Sequence, residues 1–179
     1  VIPAPEQVSV AVVGETARYP VRRIFCVGRN YVAHIREMGG DERDPPFYFC
    51  KPTDAIVPTG GTIDYPPQTG NFHYEMELVA AIGKGGANIS EEDALDHVYG
   101  YATGLDMTRR DVQIAHREKG RPWDMGKGFD QSAPCGDIHP VADVGHFPKG
   151  NLWLKVNGET KQDSDLELMI WNLQETIAN

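Results

Sequence analysis

Apolar and polar residues alternate along several short segments of the chain, a pattern typical of β-strands. Strands are predicted at residues 6–14, 21–28, 47–52, 74–82 and 98–105. A hairpin is predicted where residues 152–157 and 159–161 flank the turn Asn157-Gly158, because Asn-Gly is a preferred two-residue turn. With 19 glycines and 13 prolines, the chain has many turn signals between these segments.

Helical spacing is confined to four shorter segments. Asn30 is a candidate N-cap for a helix at 31–38, and Ser90 with Asp93 predicts a capping box before a helix that ends near residue 97. Thr108 with Asp111 predicts the start of a helix that ends at residue 119, and residues 168–178 have helical spacing. No internal repeat or interdomain linker is recognisable. We therefore predict one α+β domain over residues 1–179, richer in strand than in helix.

Composition narrows the possible classes of protein. The 179 residues are 40% apolar, enough for a core, and the net charge of −9 without a basic cluster argues against a nucleic-acid surface. No apolar run is long enough for a membrane span. Three widely spaced cysteines do not form a disulfide or zinc pattern, and the first residues do not resemble a signal peptide. We therefore expect a cytoplasmic protein.

Two carboxylates lie two residues apart in the predicted strand 74–82. Glu75 and Glu77 would project from the same face, while Met76, Leu78, Ala80 and Ile82 would form the core face. Like charges at this spacing favour an intervening cation, and Asp106, after the strand 98–105, could be a third oxygen ligand for a divalent ion. An exposed strand face with two solvated acids is the alternative.

Three further groups of residues are candidates for catalysis or binding. His34 and Glu37 are spaced i and i+3 on a predicted helix, as a base and its orienting carboxylate would be, although a surface pair is the alternative. Arg110 and Gln113 have the same spacing and could bind a carboxylate, unless they belong to a salt-bridged surface helix. Lys127 lies between two glycines, where its ammonium could approach a ligand.

The order of these motifs resembles that of the fumarylacetoacetate hydrolase family. The matching blocks are Arg-Asn-Tyr-x-x-His-x-x-Glu at 29–37, Tyr-Glu-x-Glu-Leu at 74–78, Gly-x-Asp-x-Thr-x-Arg-Asp-x-Gln at 104–113 and Lys-Gly-x-Asp at 127–130. The resemblance covers almost the whole chain. It implies a twisted mixed β-roll, a homodimer, and Mg²⁺ or Mn²⁺ as cofactor.

The resemblance also implies a role for each candidate residue. Glu75, Glu77 and Asp106 correspond to the metal ligands, and His34 with Glu37 to the pair that activates water. Lys127 corresponds to a lysine beside the developing negative charge. Arg110 and Gln113 correspond to residues that hold the 2-oxo-acid end of the substrate, and Arg29 helps to shape the same pocket.

The expected reaction is hydrolysis of a carbon–carbon bond in an acylpyruvate such as fumarylpyruvate, which gives fumarate and pyruvate in gentisate catabolism. Oxaloacetate decarboxylation and 2-oxo-acid isomerisation or tautomerisation occur in the same family and are alternatives. A non-catalytic, metal-stabilised module is an alternative of another class.

One departure from the family pattern concerns the C-terminal part. Family members normally continue with further strands and a Thr-Gly-Thr-Pro segment that contributes to the substrate pocket, and this segment does not occur in the 179 residues. We expect an isolated protein of this length to lack part of its sheet and one wall of its site, and therefore to be unstable or inactive.

Overall fold

Short strands make up much of the structure, a computed structural model that describes residues 1–31 and 44–179. The strands are β1 (Ser9–Ala11), β2 (Arg18–Pro20), β3 (Ile24–Gly28), β4 (Phe47–Lys51), β5 (Ile56–Pro58), β6 (Phe72–His73), β7 (Met76–Ile82), β8 (Val98–Leu105), β9 (Thr108–Arg109), β10 (Ala133–Cys135), β11 (His139–Pro140), β12 (Asn151–Val156) and β13 (Glu159–Asp165). The helices are α1 (Arg110–Glu118), α2 (Asp124–Lys127), α3 (Val141–Val144) and α4 (Leu173–Ala178). The predicted α+β class with more strand than helix is confirmed.

Strand β8 is the centre of a five-stranded sheet. It pairs antiparallel with β7 along one edge and with β10 and β11 along the other, and β10 pairs parallel with β5. Antiparallel pairs also join β1 to β2, β3 to β4, β6 to β9 and β12 to β13. The predicted hairpin is therefore confirmed, and its turn residues Asn157 and Gly158 have positive φ angles of 52° and 85°, as a type I′ turn requires.

The apolar core lies on the same face of β7 as the two carboxylates. Ala81 is buried with Val10, Val12, Val21, Ala102 and Ile138, and Val79 packs against this cluster. The prediction that Met76, Leu78, Ala80 and Ile82 form the core face is wrong, since Ile82 is 42% exposed and the other three are only partly buried. Residues 78–82 are all apolar, so the local pattern did not distinguish the two faces.

Two of the predicted helices are shorter than expected. A 3-10 turn at Ala94–His97 replaces the helix after Ser90. Ser90 donates a hydrogen bond to the Asp93 carboxylate at 2.7 Å and accepts one from the Asp93 N–H at 3.2 Å. The N-cap hydrogen bond is thus present as predicted, but only a single 3-10 turn follows it. In the last segment, α4 begins only at Leu173, where Asn172 and Glu175 form a capping box.

Asn30 explains why the last helix begins late. Its side-chain amide donates to the Trp171 carbonyl at 2.8 Å and accepts from the Trp171 N–H at 2.8 Å. These bonds hold the chain before α4 in a non-helical conformation. The helix predicted at 31–38, which Asn30 would cap, lies outside the described residues from residue 32 onward.

Helix α1 confirms the segment predicted after Thr108, but its start differs. Thr108 and Arg109 form β9, and the Thr108 hydroxyl donates to the Asp106 carbonyl at 3.0 Å instead of capping the helix. None of the helices in the described part of the chain is long and apolar enough to cross a membrane.

Candidate active site

The pairing of β7 with β8 brings three acidic residues to one end of the sheet. Glu77 lies opposite Gly104, and the Asp106 N–H donates to the Glu75 carbonyl at 2.8 Å. Gly104 is required at this point, because a Cβ atom there would lie 2.7 Å from the Val79 side chain. The strand order therefore places Glu75, Glu77 and Asp106 near one another, as their sequence positions suggested.

Lys127 links two of these acids. It ends α2 and is almost fully buried, with 2% of its surface exposed. Its ammonium donates to the Glu75 carboxylate at 2.7 Å and to the Asp106 carboxylate at 2.6 Å. The structure thus brings Lys127 together with two of the three predicted metal ligands.

Arg110 and Gln113 extend the same cluster. The Arg110 guanidinium donates to the second oxygen of Glu75 and to the Gln113 side-chain oxygen, so the i and i+3 positions share a face of α1 as predicted. Helix α2 packs closely there, because a Cβ atom at Gly126 would lie 2.9 Å from the Gln113 nitrogen. Gln113 is consequently buried beside the charged cluster.

Lys51 is a second buried lysine in the cluster that the sequence motifs did not indicate. Its ammonium lies 2.9 Å from the Asp106 carboxylate, and it donates to the Met107 carbonyl at 3.1 Å and to the Lys127 carbonyl. A lysine at the end of an aromatic strand, Phe47–Lys51, was the only local signal. Its pairing partners are distant in the sequence, so they could not be inferred from spacing.

The electrostatic environment shifts the pKa values of Glu75 and Glu77 in opposite directions. Burial alone would raise the pKa of Glu75, but the Lys127 ammonium and the Arg110 guanidinium outweigh it and lower that pKa to about 2. For Glu77, burial raises the pKa to about 8, and the neighbouring Asp106 and Glu75 charges add to this effect. No described residue donates a hydrogen bond to the Glu77 carboxylate. Glu77 is therefore the carboxylate in the cluster that forms no ion pair with any described residue.

These residues offer the oxygen ligands that a hard divalent cation prefers. Asp106 Oδ1 is buried and faces the Lys51 ammonium at 2.9 Å, and Glu77 forms no ion pair with the described residues, so both carboxylates have oxygen atoms that a divalent cation could bind. Within residues 1–31 and 44–179, however, no three His, Cys, Asp or Glu side chains are arranged to hold a metal ion. The metal triad Glu75, Glu77 and Asp106 therefore stays a prediction.

The remaining predicted site residues are Arg29, His34 and Glu37. Arg29 has a positive φ of 58° and its guanidinium lies 5.7 Å from the centre of the Phe47 ring. Its role in shaping the pocket stays a prediction. His34 and Glu37 lie outside the described residues, and their roles also stay predictions.

A cavity of about 270 Å³ adjoins the cluster. Glu77, Asp106 and Lys51 line it together with Cys26 and Tyr31. Burial raises the pKa of Cys26 to about 12, and the Asp106 charge adds to this effect. The thiol is thus protonated at neutral pH, a state in which it is a poor nucleophile.

Comparison with known proteins identifies relatives along most of the chain. Residues 23–179 match the family model for the C-terminal domain of fumarylacetoacetate hydrolase. A fumarylpyruvate hydrolase from Ralstonia sp. is 51% identical over 133 residues, which are 74% of this chain and 69% of the relative. A mitochondrial oxaloacetate tautomerase from Homo sapiens is 41% identical over 157 residues, which are 88% of this chain and 71% of the relative.

Solved structures give the same result for the fold. The crystal structure of a fumarylpyruvate hydrolase from Pseudomonas aeruginosa, in complex with Mn²⁺ and pyruvate, matches with a TM-score of 0.94 and 56% identity. The match covers 99% of this chain and 79% of that one. A structure described as a putative fumarylpyruvate hydrolase, from Burkholderia cenocepacia, matches with a TM-score of 0.91 and 51% identity, over 99% and 77% of the two chains.

Proposed function

Because the chain belongs to the fumarylacetoacetate hydrolase family, we propose that it hydrolyses a carbon–carbon bond in an acylpyruvate. Fumarylpyruvate is the preferred candidate, since two of its relatives at 51% and 56% identity are fumarylpyruvate hydrolases. The products would be fumarate and pyruvate. A role in gentisate catabolism is part of the same proposal.

The observation that carries this proposal is the buried cluster of Glu75, Asp106, Lys127 and Arg110. Two cationic side chains converge on the acids Glu75 and Asp106, and Asp106 also lines the adjoining cavity of about 270 Å³. Such a constellation suits a small dianionic or monoanionic substrate whose negative charge increases during the reaction. A purely structural module would have no need of so many buried charges, because burying a charge is costly.

Arg110 and Gln113 would bind the 2-oxo-carboxylate end of the substrate. The Arg110 guanidinium already points into the cluster, where it contacts Glu75 and Gln113. A guanidinium can form two parallel hydrogen bonds to a carboxylate, which fixes both the position and the orientation of the substrate.

Lys127 would stabilise the charge that develops when the bond breaks. Hydroxide attack on the distal carbonyl carbon gives a tetrahedral adduct, and cleavage of the adjacent carbon–carbon bond leaves its electron pair on pyruvate as an enolate. The enolate then takes up a proton to give pyruvate. A buried ammonium is an effective partner for that oxyanion, because its charge is screened little by solvent.

His34 and Glu37 would activate the water, by analogy with the family motif that residues 29–37 match. A divalent ion, Mg²⁺ or Mn²⁺, held by Glu75, Glu77 and Asp106, would supply Lewis-acid polarisation of the 2-oxo acid when bound. Mn²⁺ is present in the related Pseudomonas aeruginosa structure. Family resemblance also implies a homodimer.

Pyruvate release from fumarylpyruvate by the purified chain, with and without Mn²⁺, decides between this proposal and the expectation that a protein of this length is unstable or inactive. The proposal predicts metal-dependent release of equal amounts of pyruvate and fumarate, and its loss in His34→Ala. Glu92→Ala is a matched control, since Glu92 is exposed on the surface. If the folded protein with bound Mn²⁺ releases no pyruvate, hydrolysis of fumarylpyruvate is wrong.

Oxaloacetate is the second candidate substrate, because the mitochondrial tautomerase is 41% identical over 157 residues. Tautomerisation interconverts the enol and keto forms of oxaloacetate without releasing carbon dioxide, whereas decarboxylation releases it. Measuring the enol absorbance and carbon dioxide from oxaloacetate, beside pyruvate from fumarylpyruvate, separates the three activities. A faster turnover of oxaloacetate than of every acylpyruvate would favour this second function.

A further inference from the structure

Lys51 is an unusual lysine because it is buried and its ammonium bonds, within the described residues, to segments of the candidate active site. Only 4% of its surface is exposed, and lysine is rarely buried without partners. Burial lowers the pKa of Lys51, and the Asp106 charge opposes this effect. None of the motifs that match the family in sequence includes this residue.

The contacts of Lys51 join three separate parts of the chain. It is the last residue of β4, Met107 follows β8, and Lys127 ends α2. The Lys51 ammonium donates to the main-chain carbonyls of Met107 and Lys127 and pairs with Asp106 at 2.9 Å. An ammonium has three N–H donors, and these three acceptors account for all of them.

The close packing of β4 on α2 makes this arrangement rigid. Pro52 directly follows Lys51, and a Cβ atom at Gly128 would lie 3.4 Å from the Pro52 ring and 3.2 Å from the Asp124 carbonyl. The glycine thus allows the end of α2 to lie against the end of β4. The Lys127 side chain leaves from this junction toward Glu75 and Asp106.

We propose that Lys51 is a positioning residue, which fixes the Asp106 carboxylate relative to the Lys127 main chain and thereby sets the geometry of the active site. This inference rests on the proposed function, because it assumes that Asp106 and Lys127 act there. Lys51 has no contact with Arg110 or Gln113 among the described residues, so substrate binding at that end should depend on it little. Metal affinity and turnover should depend on it strongly.

The first experiment compares Lys51→Met with the wild type. Methionine keeps most of the volume and removes the three donors. Loss of a group that orients a metal ligand typically costs about 10- to 100-fold in metal affinity or activity. We therefore expect the Kd for Mn²⁺, measured by the electron paramagnetic resonance of free Mn²⁺, to rise by about that factor. We expect kcat for fumarylpyruvate to fall similarly, while KM changes less than about threefold.

The matched control is Lys161→Met, since Lys161 forms an exposed ion pair with Glu159 at 2.6 Å. It should leave the Mn²⁺ affinity, kcat and KM unchanged. All measurements are made well below the Tm of each variant. If folded Lys51→Met binds Mn²⁺ and turns over substrate as the wild type does, Lys51 is only a structural counter-ion and the proposal is wrong.

A second measurement on the wild type covers the case in which Lys51→Met does not fold. The ammonium groups of ¹⁵N-labelled lysines are observed by NMR, and those buried in hydrogen bonds exchange slowly with water. We expect a protected Lys51 signal that shifts when Mg²⁺ is added. A signal that exchanges as fast as those of exposed lysines, or one that saturating Mg²⁺ does not move, would overturn the proposal. This measurement and the Mn²⁺ affinity need no substrate, so they remain informative if fumarylpyruvate hydrolysis fails.

Discussion

Lys127 contacts two carboxylates at once, and this double contact governs the effect of replacing it. Its ammonium lies 2.7 Å from Glu75 and 2.6 Å from Asp106, and all three side chains are largely buried. Removing one partner of a buried ion pair leaves an uncompensated charge, a change that costs much more than removing an exposed pair.

We expect Lys127→Met to lower the free energy of unfolding of the metal-free protein by about 3–5 kcal/mol. The reason is that Asp106 and Glu75 each lose an ammonium partner in a buried environment. Urea denaturation in the presence of a chelator measures the difference. The exposed pair in Lys161→Met should cost less than about 1 kcal/mol, and equal losses in the two variants would contradict this explanation.

Glu77 differs from Glu75 because, among residues 1–31 and 44–179, no cation forms an ion pair with its carboxylate. We expect Glu77→Gln to abolish the increase in Tm that Mn²⁺ causes in the wild type, since binding to the native state alone raises stability. The metal-free variant should be at least as stable as the metal-free wild type at pH 8–9, because an amide avoids a buried charge. Thermal denaturation with and without Mn²⁺ tests both statements. A full Mn²⁺ response in the variant would remove Glu77 from the proposed ligands.

At the scale of elements, Asp111 fastens the start of α1 to a neighbouring loop. Its carboxylate accepts hydrogen bonds from the Thr69 hydroxyl at 2.5 Å, the Gly70 N–H at 2.8 Å and the Val112 N–H at 2.9 Å. The Thr69 and Gly70 hydrogen bonds lower the pKa of Asp111 below its usual value. Helix α1 also carries Arg110 and Gln113, so this attachment supports the site.

We expect Asp111→Ala to lower Tm at pH 7. Because the pKa of Asp111 is lower in the folded state than in the unfolded state, its ionised form stabilises the fold above the unfolded pKa of about 3.9. This contribution is lost as the pH falls through the folded pKa. The Tm difference from the wild type should therefore be constant from pH 8 to 5 and shrink at lower pH. Glu92→Ala, at an exposed site, is the control, and a difference that grows on acidification would contradict the assignment.

The turn of the β12–β13 hairpin gives a test of backbone conformation without side-chain packing. Gly158 has a φ of 85°, and a Cβ atom there would meet nothing within 4 Å. We expect Gly158→Ala to cost about 1–2 kcal/mol, the penalty for an L-residue in the left-handed region. Gly85→Ala is the matched control, because Gly85 also has free space but no positive φ. Equal stabilities in urea would show that the turn relaxes.

Local patterns in the sequence were sufficient for some elements but not for others. Asp106 at the end of β8, the Arg110–Gln113 spacing and the Asn157-Gly158 turn each depend on neighbouring residues, and the structure has them as expected. The prediction that Thr108 caps the helix is wrong, because this residue belongs to β9, which pairs with β6. Such long-range pairing is not encoded in a short window of sequence.

The same reasoning applies to the candidate site. Glu75, Asp106, Lys127 and Arg110 were predicted from motifs and come together, whereas Lys51 joins the cluster only because β4 packs against α2. The core face of β7 was predicted incorrectly for a related reason. Burial on one side of an apolar strand depends on which elements cover it, and these are distant in sequence.

For the whole molecule, the balance of charge in the cluster determines how the protein meets its cofactor. Glu75, Glu77 and Asp106 are acidic, and Lys51, Lys127 and Arg110 are cationic. Lys51, Lys127 and Arg110 form ion pairs with Glu75 and Asp106, whereas Glu77, whose pKa is raised to about 8, is mostly protonated at neutral pH. Folding does not need a metal ion to prevent repulsion between these acids.

Supply of the ion would consequently control activity and not abundance. In a cell with little Mn²⁺ or Mg²⁺, the protein would stay folded in its metal-free, inactive form. Binding of the ion would then activate it without new protein synthesis. We expect removal of metal with a chelator to stop pyruvate release, while the circular dichroism spectrum at 25 °C stays unchanged. Added Mn²⁺ should restore turnover immediately, without a slow refolding phase. Unfolding on chelation would show that the metal, rather than the buried lysines and arginine, holds the acids together.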